Sequence, residues 1–127
     1  MMALFSVSAL FVCEHVPALS NEGKRLWEEQ IVCMSCFEED VLECAVCYFK
    51  SQELEYETTD GKAEWKFYGI IDIYEIPESE RIGKIDVPIE FFSRLLTDRQ
   101  AKDLCRHNKI FQDFCRSHGL DIHSETK

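Results

Sequence analysis

The dipeptide Asp60-Gly61, which lies between two stretches rich in apolar and aromatic residues, constrains the fold most. Asp-Gly is a strong signal for a two-residue type I′ turn, because both central residues of that turn need a positive φ. The dipeptide therefore predicts that residues 54–59 and 62–76 form an antiparallel hairpin.

The predicted turn also sets the register of this hairpin. It places Tyr56 opposite Trp65 and Leu54 opposite Phe67, and facing aromatic side chains commonly stabilise such strand pairs. The second arm is long and apolar on both faces, so we expect it to be a central strand.

Two further strands are predicted near the N-terminus. Residues 4–14 alternate between apolar and small side chains, and this period of two is typical of a half-buried strand. Residues 24–34 return with the same period, and the turn-rich stretch 15–23 connects the two. A short loop between neighbouring strands favours an antiparallel pair.

A helix is predicted to begin at Ser35. The run from Ser35 to Glu38 fits a capping box, in which the serine oxygen accepts a backbone amide proton and the glutamate reaches back. Acidic residues fill the first turn, where they interact favourably with the helix dipole. Apolar residues then recur at helical spacing, and the pattern fades near residues 50–52.

The C-terminal third is predicted to hold an irregular segment and a second helix. Pro88 argues against a central-strand role for residues 84–96, so we expect a short strand or a single helical turn there. A second capping box, from Thr97 to Gln100, begins an amphipathic helix.

Together these elements predict an α+β fold. We expect a four-stranded antiparallel sheet, in the order β-β-α-β-β along the chain, with helix on one face. Residues 4–96 form this core domain, residues 97–119 form a C-terminal amphipathic helix packed on it, and residues 120–127 form a frayed tail. A length of 127 residues, 46% of them apolar, fits one such domain.

The chain is acidic, with 14 basic against 24 acidic side chains and a net charge of −10. A surface that binds a phosphate backbone needs clustered Lys and Arg, and the sequence has no such cluster. We therefore expect no nucleic-acid or membrane partner, and a basic protein is a better one. Solubility alone is the other explanation of the acidity.

The cysteines and the N-terminal residues indicate a compartment. Seven cysteines are an odd number, so pairing would leave one thiol over. The first residues lack a basic region and a cleavage site of small residues, and no apolar run approaches the roughly 18 residues of a membrane span. We therefore expect a cytoplasmic protein with reduced thiols.

An ordered set of short motifs covers about residues 4–96: LFVCE at 10–14, LWEEQI at 26–31, WKF at 65–67, DIYEI at 72–76 and FSR at 92–94. In this order the motifs resemble a family of small, mainly bacterial proteins catalogued as domain of unknown function 4288. The resemblance implies a ββαββ core, to which the helix from residue 97 is an addition. It implies no reaction, cofactor or catalytic residue, and its pattern does not include the cysteines at 33, 36, 44 and 47.

The two pairs Cys33-x-x-Cys36 and Cys44-x-x-Cys47 form the sharpest chemical motif. Four thiolates in two such pairs can close a tetrahedral zinc site. The residues between the pairs, however, predict a helix start rather than a chain reversal, and free cysteine is commonly a small buried hydrophobe. We therefore expect core packing and no cofactor, and a zinc-binding module is the alternative.

Cys36 also supports a redox interpretation. At the first position of a helix, the amide dipoles lower the pKa of a thiol. Cys33 would then be the resolving partner, which gives a thiol redox module as a further alternative.

Trp27, Glu28, Glu29 and Trp65 are the best candidates for an interaction site, because acid beside a large aromatic ring can serve a basic or aromatic partner. Strand alternation explains the same pattern, with Trp27 in the core and Glu28 in water. The sequence has no recognisable catalytic set. We therefore predict a non-enzymatic protein-interaction module that binds a protein partner or itself, as a homodimer.

Overall fold

The computed structural model describes residues 2–16, 25–59, 61–78, 88–106 and 108–117. Within these ranges the chain has an α+β fold, with a curled antiparallel sheet and three α-helices. The strands are β1 (Met2–Val16), β2 (Leu26–Phe37), β3 (Leu54–Thr58), β4 (Gly61–Glu75) and β5 (Ile89–Leu96). A short 3₁₀ turn (Glu38–Asp40) precedes helix α1 (Val41–Ser51), and helices α2 (Asp98–Arg106) and α3 (Lys109–Ser117) follow β5.

The sheet has five strands in the order β3-β4-β1-β2-β5, all antiparallel to their neighbours. The predicted α+β class is confirmed, but the predicted count of four strands is wrong. The fifth strand comes from residues 89–96, which pair with β2 at one edge of the sheet. Pro88 directly precedes this strand, and the edge position agrees with its lack of a backbone donor. Residues 84–87 lie outside the described part of the chain.

Strand β1 is the middle strand and is buried on both faces, so the prediction of a half-buried strand is wrong. Val7, Ala9 and Leu10 are completely buried, although adjacent residues of a strand point to opposite faces. The alternation of small and apolar residues in β1 fits a strand with one buried face and also a strand with two. Small residues such as Ser8 can be buried too, and Ser8 is buried here. The expectation of a central position for β4 is confirmed, since β4 lies between β3 and β1.

Helix α1 covers one face of the sheet, and α2, from the segment predicted as an added C-terminal helix, packs on the other. On one face the ring of Phe11 in β1 contacts Phe49 of α1 edge-on, at a centroid distance of 5.9 Å. The next residue, Val12, pairs with Trp27 of β2, so both point to the other face. There the Trp27 indole Nε1–H donates to Asp98 Oδ1 of α2, at 2.8 Å.

Two bulges in β4 shape the sheet where α3 packs. The pairing of β1 with β4 skips Tyr68 and Ile71, and such bulges bend and twist a strand. The Tyr68 ring stacks on Phe111 of α3, with centroids 5.7 Å apart. Gly69 lies between the bulges, and a Cβ there would approach Phe111 Cε1 to 2.5 Å, so only glycine fits this contact.

The register of the β3–β4 hairpin differs from the prediction by two residues. Leu54 lies opposite Trp65, and Thr58 lies opposite Gly61. Gly61 has a φ of 130° and begins β4 instead of sitting in the centre of the turn. Asp60 lies outside the described residues.

The two predicted capping boxes have different outcomes. At Thr97 the box is confirmed, because Gln100 N–H donates to Thr97 Oγ1 and Thr97 N–H donates to Gln100 Oε1. At Ser35 it is wrong, because pairing with β1 keeps Ser35 in β2 as far as Phe37. The 3₁₀ turn and α1 that follow have no side-chain cap.

The single C-terminal helix predicted over residues 97–119 is two helices. Asn108 ends the first and begins the second, since its Oδ1 accepts from Phe111 N–H at 2.8 Å, as an N-cap does. The side-chain amide of Asn108 also donates to the backbone oxygen of Ile71 in β4, at 2.8 Å. Residues 118–127, including the predicted tail, lie outside the described part of the chain.

Candidate functional site

The four clustered cysteines do not converge as the zinc alternative requires. Cys33 and Cys36 are three residues apart on β2, so their side chains leave opposite faces of the sheet. Cys36 is buried, whereas Cys44 and Cys47 on α1 are exposed. Within the described ranges, no group of three or more His, Cys, Asp or Glu side chains is placed to hold a metal ion.

The structure brings Cys36 together with Cys44, not with Cys33 as predicted. The Cys36 thiol donates to Cys44 Sγ, and the two sulfurs lie 2.7 Å apart. Cys33 lies on the other face of the sheet and is not the partner of Cys36. Sequence spacing missed this contact because it depends on how α1 folds back over the end of β2.

The expected activation of Cys36 by a helix dipole is wrong. Cys36 is the penultimate residue of β2, and a strand has no helix dipole. Burial, the hydrogen bond with Cys44 and the nearby negative groups raise the pKa of the Cys36 thiol to about 12. Cys36 is therefore protonated at neutral pH.

Trp27 is a core residue whose ring is unavailable to a partner. It is buried, its indole N–H is bonded to Asp98, and the Tyr68 ring contacts it edge-on with centroids 4.7 Å apart. The Arg25 guanidinium covers the ring at 5.0 Å from its centroid.

The other three predicted interaction residues do not form one patch with Trp27. Glu29 is buried and holds Arg94 of β5, with 2.6 Å between Oε1 and Nε. Glu28 points to the opposite face and accepts a hydrogen bond from Gln30. Trp65 is half-buried in β4, on the other side of β1 from the two glutamates.

A groove at the start of α2 was not predicted. It has a volume of about 720 Å³ and carries four basic and two acidic side chains. Sequence analysis missed it because its charges come from two distant segments. The lining residues are Arg25, Leu26, Thr97, Asp98, Arg99, Lys102, Asp103 and Arg106.

Asp98 in this groove serves the fold rather than proton transfer. Its Oδ1 accepts from the Trp27 indole at 2.8 Å, and its Oδ2 lies 2.9 Å from Lys102 Nζ. Burial favours the neutral acid, but these two contacts outweigh it and lower the pKa of Asp98 below its ordinary value. Each oxygen therefore has a partner within the protein, the indole on Oδ1 and the ammonium on Oδ2.

The edge strand β5 exposes three large apolar side chains, of which Ile89 and Phe92 point to one face of the sheet and Leu95 to the other. Ile89, Phe92 and Leu95 are 48%, 43% and 61% exposed, and we call these three residues the β5 edge surface. The pairing with β2 skips Phe91, so β5 carries a bulge in its first half. Sequence analysis did not identify this surface, because residues 84–96 gave no clear strand period.

Acidic side chains flank one end of the β5 edge surface. Ile89 pairs with Cys33, and β2 continues from there to the 3₁₀ turn, where Glu38, Glu39 and Asp40 are all exposed. Glu90 in β5 is exposed as well. None of these four carboxylates forms an ion pair with another described residue, so this end of the surface is negatively charged.

Comparison of the chain with protein-family models, curated protein sequences and solved structures gives no significant match. The resemblance to domain of unknown function 4288 therefore stays a prediction. Among the helices that the structure describes, none is long and apolar enough to cross a membrane.

Proposed function

We propose that the chain is a non-enzymatic protein-interaction module that acts through the β5 edge surface. The observation that supports this is the exposure of three large apolar side chains on a strand whose outer edge has no neighbour in the described sheet. Natural proteins commonly protect such edges with charge or cover, so an uncovered edge strand with large apolar side chains exposed on both of its faces supports an interaction site.

Side chains rather than a long backbone ladder give most of the affinity in this proposal. The bulge at Phe91 interrupts the row of outward backbone groups, which limits the length of any added strand. Phe92 and Leu95 lie beyond the bulge and offer an aromatic and an aliphatic anchor. A few such buried anchors typically carry most of the binding energy at an interface.

The partner is a protein segment with alternating apolar and basic side chains. Basic residues would meet the carboxylates of Glu38, Glu39, Asp40 and Glu90 at one end of the surface. A second copy of this chain would bring a further net charge of −10 to the same place, which opposes self-association. The predicted homodimer is therefore the competing proposal.

Peptide binding to the full chain tests this. Three labelled peptides are designed in which Val alternates with Lys, with Ser or with Glu. Each is titrated with the full chain at low and at high salt, and binding is followed by fluorescence anisotropy. We expect the Lys peptide to bind most tightly and to lose affinity with salt, because exposed charges are screened. Phe92→Ser and Leu95→Ser each weaken its binding by about tenfold, the usual loss for an interface anchor.

Leu54→Ser is the matched control, because Leu54 is equally exposed, at 57%, on the opposite edge strand β3. It is expected to bind the Lys peptide like the wild type. Equal binding of all three peptides, or equal loss in the Leu54 variant, would contradict the proposal. A stable dimer in sedimentation velocity that Leu95→Ser dissociates would replace the basic partner by a second copy.

We infer further that the module acts in the cytoplasm of a bacterium. The odd number of cysteines, seven, supports a reducing compartment, and the motif set between residues 4 and 96 supports the bacterial family. Intact-mass measurement of protein isolated without reductant tests the first part. We expect seven reduced thiols.

A further inference from the structure

The end of β2 and the first turn of α1 place two cysteines in contact across seven intervening residues. Cys36 Sγ lies 2.7 Å from Cys44 Sγ, and both thiols are free. We propose that Cys36 and Cys44 form a site of thiol–disulfide exchange with small disulfides, in which Cys44 attacks and Cys36 resolves. This inference is independent of the β5 edge surface.

Exposure assigns the two roles. Cys44 is exposed on α1, so a small disulfide can reach its sulfur. Cys36 is only 3% exposed and lies beneath it, so an external disulfide cannot approach Cys36 first. The buried sulfur can nevertheless reach Cys44, because the two are already in contact.

The exchange is balanced with one small disulfide as the oxidant. Cys44 loses its proton to solvent, and its thiolate attacks one sulfur of R–S–S–R. The S–S bond breaks, the first thiolate leaves and takes up a proton, and Cys44 carries a mixed disulfide. Cys36 then attacks Cys44 Sγ and gives its proton to the departing small thiolate, which leaves as the second small thiol. Two protein thiols have lost two electrons, and one disulfide has become two thiols.

The charge around Cys44 selects the kind of disulfide. Cys44 follows Glu43, and the exposed carboxylates of Glu38, Glu39 and Asp40 precede it in the adjoining turn. An anionic disulfide is repelled by these groups, whereas a cationic one is attracted. The site is therefore expected to prefer cationic and neutral disulfides.

Reaction of the reduced full chain with three small disulfides tests the proposal. Cystamine is cationic, hydroxyethyl disulfide is neutral and oxidised glutathione is anionic. We expect cystamine to react at least about tenfold faster than oxidised glutathione at low salt, and the ratio to shrink at high salt as the charges are screened. Non-reducing peptide mapping by mass spectrometry should then find Cys36 linked to Cys44.

Variants separate the two steps. Cys36→Ala, which keeps a small apolar residue in the core, should stop at a stable mixed disulfide on Cys44. Cys44→Ser should remove the fast reaction. Cys47→Ser is the matched control, because Cys47 is exposed one turn further along α1 and should leave the Cys36–Cys44 link unchanged.

Three results would overturn the proposal. They are a persistent mixed disulfide on Cys44 in the wild-type chain, a link between Cys44 and Cys47 instead of Cys36, and an unchanged rate in Cys44→Ser. Equal rates with cystamine and oxidised glutathione would overturn the charge selection. Circular dichroism of each variant confirms that the comparison is made between folded proteins.

Discussion

Trp27 illustrates how one buried donor organises distant parts of the chain. Its indole N–H lies in the core and needs an acceptor, because a buried donor without a partner costs about 1–3 kcal/mol. Asp98 supplies that acceptor from a position 71 residues away, and Lys102 holds the second carboxylate oxygen. The first residue of α2 is thereby fixed against β2.

This contact predicts acid sensitivity. The pKa of Asp98 is lowered in the folded state because the Trp27 and Lys102 contacts outweigh burial. The ionised carboxylate therefore stabilises the fold above its ordinary pKa of 3.8, and the contribution is lost as the pH falls through the lower folded-state pKa. Asp98→Asn should lower the free energy of unfolding at neutral pH by about 1–2 kcal/mol and flatten its pH dependence below about pH 4.

Urea unfolding at pH values between 3 and 7 measures this. Asp103→Asn is the control, because Asp103 is exposed and its oxygen lies 3.8 Å from Arg106, where a surface pair contributes little. If the free energy of unfolding of Asp98→Asn fell as steeply as that of the wild type below pH 4, the Asp98 carboxylate would not be the cause of the acid sensitivity.

At the scale of the elements, Asn108 joins two helices and a strand. Its Oδ1 caps α3, and its side-chain amide satisfies the backbone oxygen of Ile71 at a bulge of β4. The residue thus ends one helix, begins the next and anchors it to the sheet.

Substitutions at Asn108 should separate these roles. Asn108→Ala removes both contacts and should destabilise the protein by about 1–3 kcal/mol. Asn108→Asp keeps the capping oxygen but loses the donor to Ile71, so we expect a smaller loss. Chemical denaturation measures both, and equal stability of the two variants would assign the whole effect to the Ile71 contact.

Sequence signals that involve residues close together in the chain predicted most helices and strands. Where such a prediction was wrong, pairing with a strand distant in sequence explains the difference. The Thr97 capping box was predictable because both partners lie within one turn. The same pattern at Ser35 failed because β1 supplies strand partners for Ser35 and Cys36. The Asp60-Gly61 hairpin was predicted, but not its register, which is two residues away from the expected one.

The candidate sites were harder to predict than the fold, because each combines distant residues. The thiol pair depends on the path of α1, and the groove at α2 combines Arg25 with residues near 100. Sequence analysis proposed Trp27 as an interaction residue because the pattern around it does not show that its indole N–H donates to Asp98, 71 residues away. Burial of Trp27 depends on a helix whose position the local pattern does not encode.

At the scale of the whole molecule, charge repulsion between copies of the chain opposes their association through the β5 edge surface. The net charge of −10 opposes contact between copies at neutral pH, while the exposed apolar side chains of the β5 edge surface favour it. As acid neutralises the carboxylates, the repulsion falls and the apolar edge remains. We expect light scattering to rise as the pH approaches 5, and Leu95→Lys to suppress the rise.

Leu54→Lys adds the same charge on the opposite edge strand and is the control for net charge. It should suppress the scattering less than Leu95→Lys, because only Leu95 lies on the β5 edge surface. Equal suppression by the two variants would mean that net charge alone governs association.

The middle position of β1 has a consequence for how the chain reaches its native state. One neighbour, β2, follows directly, but the residues of β4 lie 46 to 70 positions away from their partners in β1, as the pairing of Val16 with Lys62 and of Phe5 with Glu75 shows. Closing so large a loop is slow, because ordering entropy is lost before distant contacts form. Until β4 pairs with it, β1 leaves one edge and its apolar side chains uncovered, and such exposed strand edges favour aggregation over folding.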